Sequence, residues 1–539
     1  MDPASLQAWC TDGFVILCYF AAIFAIGLYM GRKQDSLESY ALGNRSLPWW
    51  AILASILASE ISAATFFGTP EAGFKTLNFT YAQLCIGTIL GRIVVGRLFL
   101  KPYYKYNVVS IYEYLQKRFG LHTRRWASMT FLISRVLASG TRLYVAGILL
   151  VIACKTIAGA ATLSKEDEIL LYIGALSVLT IATTIYTALG GLKAVVWTDV
   201  LQASILIIAM LTTIGILFFH TGWDTICATV AAPRPDGITT EPWAVFSTGF
   251  VDGGLGENIK HIFASDYTLW AAFLGATFIT MATHGTDQDM VQRMLAAKNA
   301  KTGSKAVILS GIADLPIVAI FLFTGILLYV YYQSNGITWN PNQTQNVFPQ
   351  FIIDHLPAGV RGLLIAALFA TAMGSLSTAL NALATTATKD WYQSIFNPKA
   401  TERQLLKAVR WMTVLFALLL IIVGSVTAWY TVQYGVKGIL HIVLGIFGYT
   451  YGSLLGVFLL GMLTERRGCD LGNCIAMLYG FLTIAALTNL IPMNDWFGLT
   501  MPDIAFPWRV TIGTLATFLV GLCFRTPSRQ PSENTHETS

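Results

Sequence analysis

The chain has 539 residues, 55% hydrophobic and 12% charged, with a mean hydropathy of +0.60. Soluble domains carry about twice that charged fraction, so the composition excludes a soluble globular protein and describes an all-α, polytopic membrane protein. The net charge of +6 is no nucleic-acid signal, and eight scattered cysteines without a CxxC pair supply no metal knuckle.

The first apolar run, 14–30, has no basic stretch before it and no cleavage site after it. Followed by Arg32-Lys33, it reads as a retained span rather than a signal peptide. Thirteen spans fit the hydropathy: 13–31, 49–68, 79–100, 124–153, 168–189, 194–220, 268–291, 304–332, 360–387, 405–428, 437–463, 472–491 and 508–524. With the N-terminus outside, 23 of the 35 lysines and arginines become cytoplasmic, among them Lys33, Arg124, Arg293 and Arg529; eight, including Lys437, lie outside. That bias sets the N-terminus outside and, with an odd number of spans, the C-terminus in the cytoplasm.

Span 2 carries Ser59, Glu60, Ser62 and Thr65. A carboxylate halfway across a membrane needs a cation, a partner or a proton, and four polar residues in seven point to function over mere helix packing. Segment 101–122 interleaves tyrosines with lysines and reads as an interfacial helix lying on the headgroups. Span 4 holds Arg135 and Arg142 on one helix face. Each needs an anion, either Glu60 or a substrate carboxylate. Asp199, at the start of span 6, reads either as a helix-start residue at the membrane surface or as a carboxylate reaching a cation between helices. The loop 221–267 is external and irregular. In span 7, His284, Asp287 and Asp289 lack the spacing of a metal site, and a broken helix permitted by Gly285 is the simpler reading. Asp314, beside Pro316 in span 8, reads as a kink or pairing feature. Span 9 carries a hydroxyl cluster, Gly374-Ser-Leu-Ser-Thr378, in otherwise apolar sequence. Oxygens gathered at mid-membrane suit a small hard cation.

These spans divide the chain into an N-terminal extra span and loop (1–48), five spans (49–220), the external loop (221–267), five spans (268–463), C-terminal extra spans (464–524) and a tail (525–539) whose polar composition predicts disorder. Two sets of five in opposite orientation are the arithmetic of an inverted repeat, with substrate and ions bound where the first helix of each set breaks. Spans 2 and 7 are those helices.

Several stretches together resemble the sodium/solute symporters, which include sugar, sialic acid, proline, monocarboxylate, multivitamin and iodide transporters. The carriers are Ala58-Ser-Glu-Ile-Ser-Ala-Ala-Thr65, Tyr112-Glu-Tyr-Leu with Arg118-Phe119, the run Tyr186–Asp199, Val291-Gln-Arg293 and Gly374-Ser-Leu-Ser-Thr378. The resemblance covers nearly the whole chain. It implies a leucine-transporter-type core of five plus five helices with extra spans at both ends. It further implies a common sodium site at Ala58, Ile61, Thr371, Gly374 and Ser375, in which Gly374 lacks the side-chain oxygen that some members place there. A second sodium site is implied at Asp199, Ser377 and Thr378. Ser62, Thr65, Phe79 and Gln83 match substrate-pocket positions of the sialic acid transporters. The pocket arginine does not align: Ala138 takes that place, with Arg135 and Arg142 close by, and Glu60 stands at a substrate-facing position.

The expected function is sodium-coupled import of a small organic solute by alternating access, with sodium as coupling ion, no cofactor and no catalysed reaction. The expected partners are the solute, sodium and the lipid bilayer, with no nucleic acid, and the functional unit is a monomer. Ser62, Thr65 and the arginines favour an organic anion, such as a sialic acid or a monocarboxylate. A neutral sugar is the alternative, and a cation channel or membrane sensor the alternative of a different class.

Overall fold

The computed structural model describes residues 3–32, 34–158, 163–234, 241–340, 344, 346–435 and 439–526. Lys33, Lys437, Arg529 and the tail beyond 526 lie outside the described residues. The described chain is helical, with isolated backbone bridges in place of strands. Each expected span contains helix among the described residues. Among the described residues, eight helices are long and apolar enough to cross a membrane, or nine with the bent pair of span 2. One of the eight, Lys165–Thr221, has 57 residues and holds expected spans 5 and 6. Gly191 divides it at φ 56°, ψ −160°, a conformation that only glycine adopts without strain. Spans 11 and 13 correspond to Ile439–Leu463 and Phe506–Leu522.

Both expected breaks are present. Span 2 is two helices, Trp49–Glu60 and Ala63–Thr76, bent by 71°. Ile61 (ψ 92°) and Ser62 (ψ 169°) are extended between them. The last carbonyls of the first half and the first N–H groups of the second therefore lose their in-helix partners. Span 7 runs through a π-helical turn, Ala271–Gly275, to Ala276–Gly285, and resumes as Gln288–Leu295. Its break falls at Thr286 and Asp287, and Gly285 does not make it by adopting a positive φ. A Cβ on Gly285 would lie 2.9 Å from the Phe99 ring, so close packing is what requires glycine there.

Segment 101–122 departs from the interfacial reading. Tyr103 and Tyr112 are buried, and their hydroxyls donate to the Gly285 and Thr286 carbonyls at the break, at 2.6 and 3.3 Å. Tyr104 donates to the carbonyls of Met294 and Ala297, both at 2.8 Å. The tyrosines form a bracket under span 7, because backbone groups freed inside a membrane need partners from the protein. The lysines of the segment point outward.

Two cations counted with the cytoplasmic loops are buried as well. Arg124 pairs with Asp390 (2.5 Å), which also accepts from Ser110 (2.6 Å). Arg293 is treated below. The loop after span 6 is not wholly irregular. It contains helices Trp223–Ala231 and Leu255–Ala264, and it folds back onto span 3, where the Phe79 N–H donates to the Ala244 carbonyl (2.7 Å).

Removing the Tyr103 hydroxyl strands the Gly285 carbonyl. Tyr103→Phe is expected to lower unfolding stability by about 1–2 kcal/mol, whereas Tyr106→Phe, at a 38% exposed ring, should leave it unchanged. Thermal unfolding of both variants in detergent checks this, and equal melting temperatures would refute the bracket.

Candidate binding site at the helix breaks

Glycine at 374 lets span 9 approach the broken end of span 2. A Cβ there would stand 3.1 Å from the Ala58 carbonyl oxygen and 3.0 Å from Gln202 Oε1. Both oxygens thus approach Gly374 more closely than most side chains would allow. Gln202 is 1% exposed, and its Oε1 has no hydrogen-bond partner among the described residues. Its amide nitrogen donates to the Tyr19 hydroxyl (3.3 Å), which orients the oxygen toward span 9. Ser375 Oγ donates to the Ser59 carbonyl (3.2 Å), and Thr371 Oγ1 to Leu368 within its own helix (2.8 Å). Of the five residues expected at the common ion site, Ala58 and Gly374 meet directly. Ser375 meets the adjoining Ser59, and Ile61 forms the break. The donor set is all oxygen, as a hard monovalent cation requires.

Asp199 is fully buried, so it is not a helix-start residue at the surface. Its Oδ2 accepts from Ser55 (2.5 Å) and from Arg293 Nη2 (3.0 Å). The same Nη2 contacts Thr378 Oγ1, which lies 2.9 Å from Ser59 Oγ and donates to the Gly374 carbonyl (2.5 Å). Ser377 Oγ also donates to that carbonyl, at 3.1 Å. Of the expected trio, Ser377 and Thr378 share the Gly374 carbonyl, and the Arg293 guanidinium lies between Thr378 and Asp199. Asp199 Oδ1 is left without a hydrogen-bond partner among the described residues.

The arginines of span 4 separate in role. Neither pairs with Glu60. Arg135 Nη1 is 3.3 Å from Asp287 Oδ2, its Nη2 abuts the Asp289 carboxylate, and the Tyr451 hydroxyl donates to Asp287. Arg135 thus neutralises the carboxylates at the break in span 7. Arg142 has no carboxylate within ion-pair distance among the described residues, and its guanidinium lies 4.9 Å from the centre of the Phe447 ring. Arg135, Arg142, Ser62, Ser139 and Ser375 line one narrow cavity of about 20 Å³, room for about one water.

Glu60 faces the other way. Both its oxygens accept from Arg92 Nη2 (2.5 and 2.6 Å), and His284 Nε2 lies 3.0 Å from Oε1. Arg92, wholly buried, also donates to Ser310 (2.8 Å) and lies 3.9 Å from Asp314. Of the two partners open to the span 4 arginines, Glu60 is thus taken by Arg92, because a linear chain does not show which of several in-span cations crosses to it. Phe79 and Gln83 lie away from the narrow cavity. Phe79 stacks on Trp243 (6.3 Å between centres). Gln83 donates to the Tyr267 carbonyl (2.9 Å) and accepts from the Ser247 N–H (3.2 Å), so both anchor the external loop. Thr65 is half-buried on the second half of span 2.

Beside Arg293, which the charge count places with the cytoplasmic loops, three residues of this arrangement are absent from the expected site. Gln202 had a readable signal: a glutamine in apolar sequence three residues from Asp199, hence on the same helix face. Arg92 had one too, since an arginine within a span implies a buried anion. Ser55 had none beyond its position one turn before Ser59.

The model of the sodium:solute symporter family matches residues 40–480. The sodium/sialic acid symporter NanT of Aliivibrio fischeri is 27% identical over 520 residues, covering 96% of this chain and 93% of its own. The sodium/sialic acid symporter SiaT of Proteus mirabilis is 26% identical, with 97% of each covered. The sodium-coupled monocarboxylate transporter 2 of Bos taurus is 26% identical, over 93% of this chain and 76% of its own. A solved structure of a Na+-coupled sialic acid symporter, substrate-bound and outward-open, superposes with a TM-score of 0.76. At 23% identity, with 95% of this chain and 97% of that chain covered, it shows a shared fold.

Glu60→Gln removes the carboxylate that Arg92 needs. It is expected to lower stability by about 3 kcal/mol, the cost of leaving a buried guanidinium uncompensated. Adding Arg92→Met should recover part of that loss. Thermal unfolding of the two variants decides it: a double variant no more stable than Glu60→Gln would mean that the pair is not what holds these residues.

Proposed function

The chain belongs to the sodium:solute symporter family, and from that premise we propose that it couples inward sodium flow to uptake of a small organic anion by alternating access. The observation that carries the ion half is the oxygen cradle opposite Gly374. Ala58 O and Gln202 Oε1 converge there, and these oxygens are the two atoms nearest to where a Cβ would stand. Buried acceptors without partners are costly, and a cation offsets that cost. Gln202 then supplies the side-chain oxygen that glycine at 374 does not. Ile61, Thr371 and Ser375 complete the proposed first site. Asp199, Ser377 and Thr378 form the proposed second, where Asp199 Oδ1 is the oxygen that Arg293 leaves open.

The solute half rests on Arg142. A guanidinium facing a cavity with the hydroxyls of Ser62 and Ser139, and unpaired among the described residues, suits a carboxylate. Two of the relatives above are named for sialic acid and one for monocarboxylates, and a carboxylate is common to both. Thr65, on the second half of span 2, adds a hydroxyl to this reading. Solute pockets enclose about 300–1,000 Å³, so the narrow cavity must widen in another state of the cycle. Sodium binding would bias that equilibrium by stabilising one arrangement of spans 2 and 9. A neutral sugar is the second reading. It is favoured by Glu60 and Asp314, whose side chains are 21% and 19% exposed and would accept hydroxyl hydrogen bonds.

The remaining assignments follow the charge bias and the repeat arithmetic. The chain crosses the bilayer thirteen times, N-terminus outside and C-terminus cytoplasmic. The repeats occupy 49–220 and 268–463, a single chain is the working unit, and the cycle includes no bond-making step.

Two outcomes are expected. Gln202→Ala raises the sodium concentration giving half-maximal thermal stabilisation about tenfold, equivalent to ~1.4 kcal/mol. Gly374→Ser in the same chain restores it by returning an oxygen to the freed space. An unaltered sodium midpoint in Gln202→Ala would remove Gln202 from the site. Arg142→Gln abolishes uptake of acidic solutes into proteoliposomes while sodium still stabilises the protein. Retained acid uptake, or sugar uptake competing with it, would favour the sugar reading.

A further inference from the structure

A large open cavity of about 1190 Å³ lies away from the helix breaks, where three apolar helices end. Lys101, Lys105, Lys117 and Arg118 line it from the end of span 3 and the helix that follows. Arg466, Arg467 and Arg525 line it from the ends of spans 11 and 13. Glu465 is the single carboxylate of the lining. Lys101, Lys105, Arg118, Arg466, Arg467 and Arg525 have no carboxylate within ion-pair distance among the described residues. So dense a set of cations repels itself unless an anion joins it.

The backbone around the cavity is well tied. Arg118 Nη2 donates to the Thr464 carbonyl (2.8 Å), fastening the helix Tyr112–Arg118 to the turn after span 11. Arg467 and Arg525 pair as an antiparallel bridge, with Gly468 N–H donating to the Phe524 carbonyl (2.9 Å). The cations are therefore held together by a rigid rim, while Lys101, Lys105, Arg466 and Arg525 remain solvent-exposed at their tips. The tyrosines Tyr106 and Tyr114 form part of the wall. Tyr106, 38% exposed beside Lys105 and Lys117, is the ring of this segment that faces outward, the placement of an aromatic at headgroup depth.

We propose that this cavity binds the phosphate of an anionic phospholipid headgroup. Arginine forks and lysine ammonium groups match phosphate oxygens. The apolar spans on either side supply the surface along which acyl chains would lie. Bound there, one lipid would link the first repeat, through its 101–118 segment, to the extra C-terminal spans. The site is independent of the ion and solute residues above.

The test uses the full chain in neutral detergent and reads its melting temperature with added phosphatidylglycerol, phosphatidylcholine or inorganic pyrophosphate. Phosphatidylglycerol is expected to raise it more than phosphatidylcholine does. Joint replacement of Lys101, Lys105, Arg466 and Arg525 by Gln should abolish that preference without changing the melting temperature in phosphatidylcholine. Lys101→Arg with Lys105→Arg should keep it. Equal shifts with both lipids, or a preference surviving the neutralised variant, would overturn the proposal. Stabilisation by pyrophosphate with none by phosphatidylglycerol would overturn the lipid and assign a soluble phosphate.

Discussion

A helix broken within a membrane must find new partners for its freed backbone groups, because lipid offers none. Spans 2 and 7 both break, and the chain answers differently at each. At span 7 the answer is permanent. Tyrosine hydroxyls from the 101–118 segment take the Gly285 and Thr286 carbonyls, and Arg135 fixes Asp287 and Asp289 beside them. At span 2 the answer is incomplete. Ser375 covers the Ser59 carbonyl, whereas the Ala58 carbonyl lies close against Gly374, which has no side chain to donate to it. One break is closed by side-chain donors from elsewhere in the chain, and the other brings backbone and side-chain oxygens close against a glycine of span 9.

The same contrast runs through the buried charges. Arg92 with Glu60, Arg124 with Asp390, Arg135 with Asp287 and Arg293 with Asp199 are matched pairs. A buried charge without a partner costs several kcal/mol, so such pairing is what lets a chain of this hydropathy carry so many ionisable groups. Among the groups left without such a pair in the described residues are Arg142 in the narrow cavity and the free oxygens of Gln202 and Asp199 on span 6. These groups complement the proposed cargo and its coupling ion, a guanidinium for an anion and acceptor oxygens for a cation.

The helical spans, the two breaks and the oxygen cluster of span 9 were legible because they are written locally, in hydropathy and in polar residues at depth. Partnership was not. Glu60 could be assigned to an arginine from its burial alone, but choosing Arg92 over Arg135 requires knowing which spans adjoin. The 101–118 tyrosines misled for a related reason. Interleaved tyrosine and lysine is the pattern of a helix on headgroups, and also of one whose tyrosines turn inward to a broken backbone. Phe79 and Gln83 were placed in a pocket by resemblance, whereas here they hold the external loop. Gln202 was readable in retrospect, since a buried amide one turn from Asp199 has the same need for a partner as a hydroxyl.

Arg293 ties these features together. Its Nε donates to Ser55 on span 2 (2.7 Å), its Nη1 to the Asp289 carbonyl beyond the break in span 7 (3.0 Å), and its Nη2 to Asp199 on span 6 and Thr378 on span 9. Four spans meet on one planar cation. Asp289 also abuts Arg135, which lines the narrow cavity with Arg142. Contacts therefore run without a gap from the carboxylate of Asp199, one turn from Gln202, to the cavity between spans 2 and 4. A guanidinium cannot shed its charge and its donors lie in a fixed plane. Any movement of Asp199 toward an ion must rearrange contacts on span 2, span 7 and span 9 together, which is the geometric requirement for an ion to influence a solute site it does not touch.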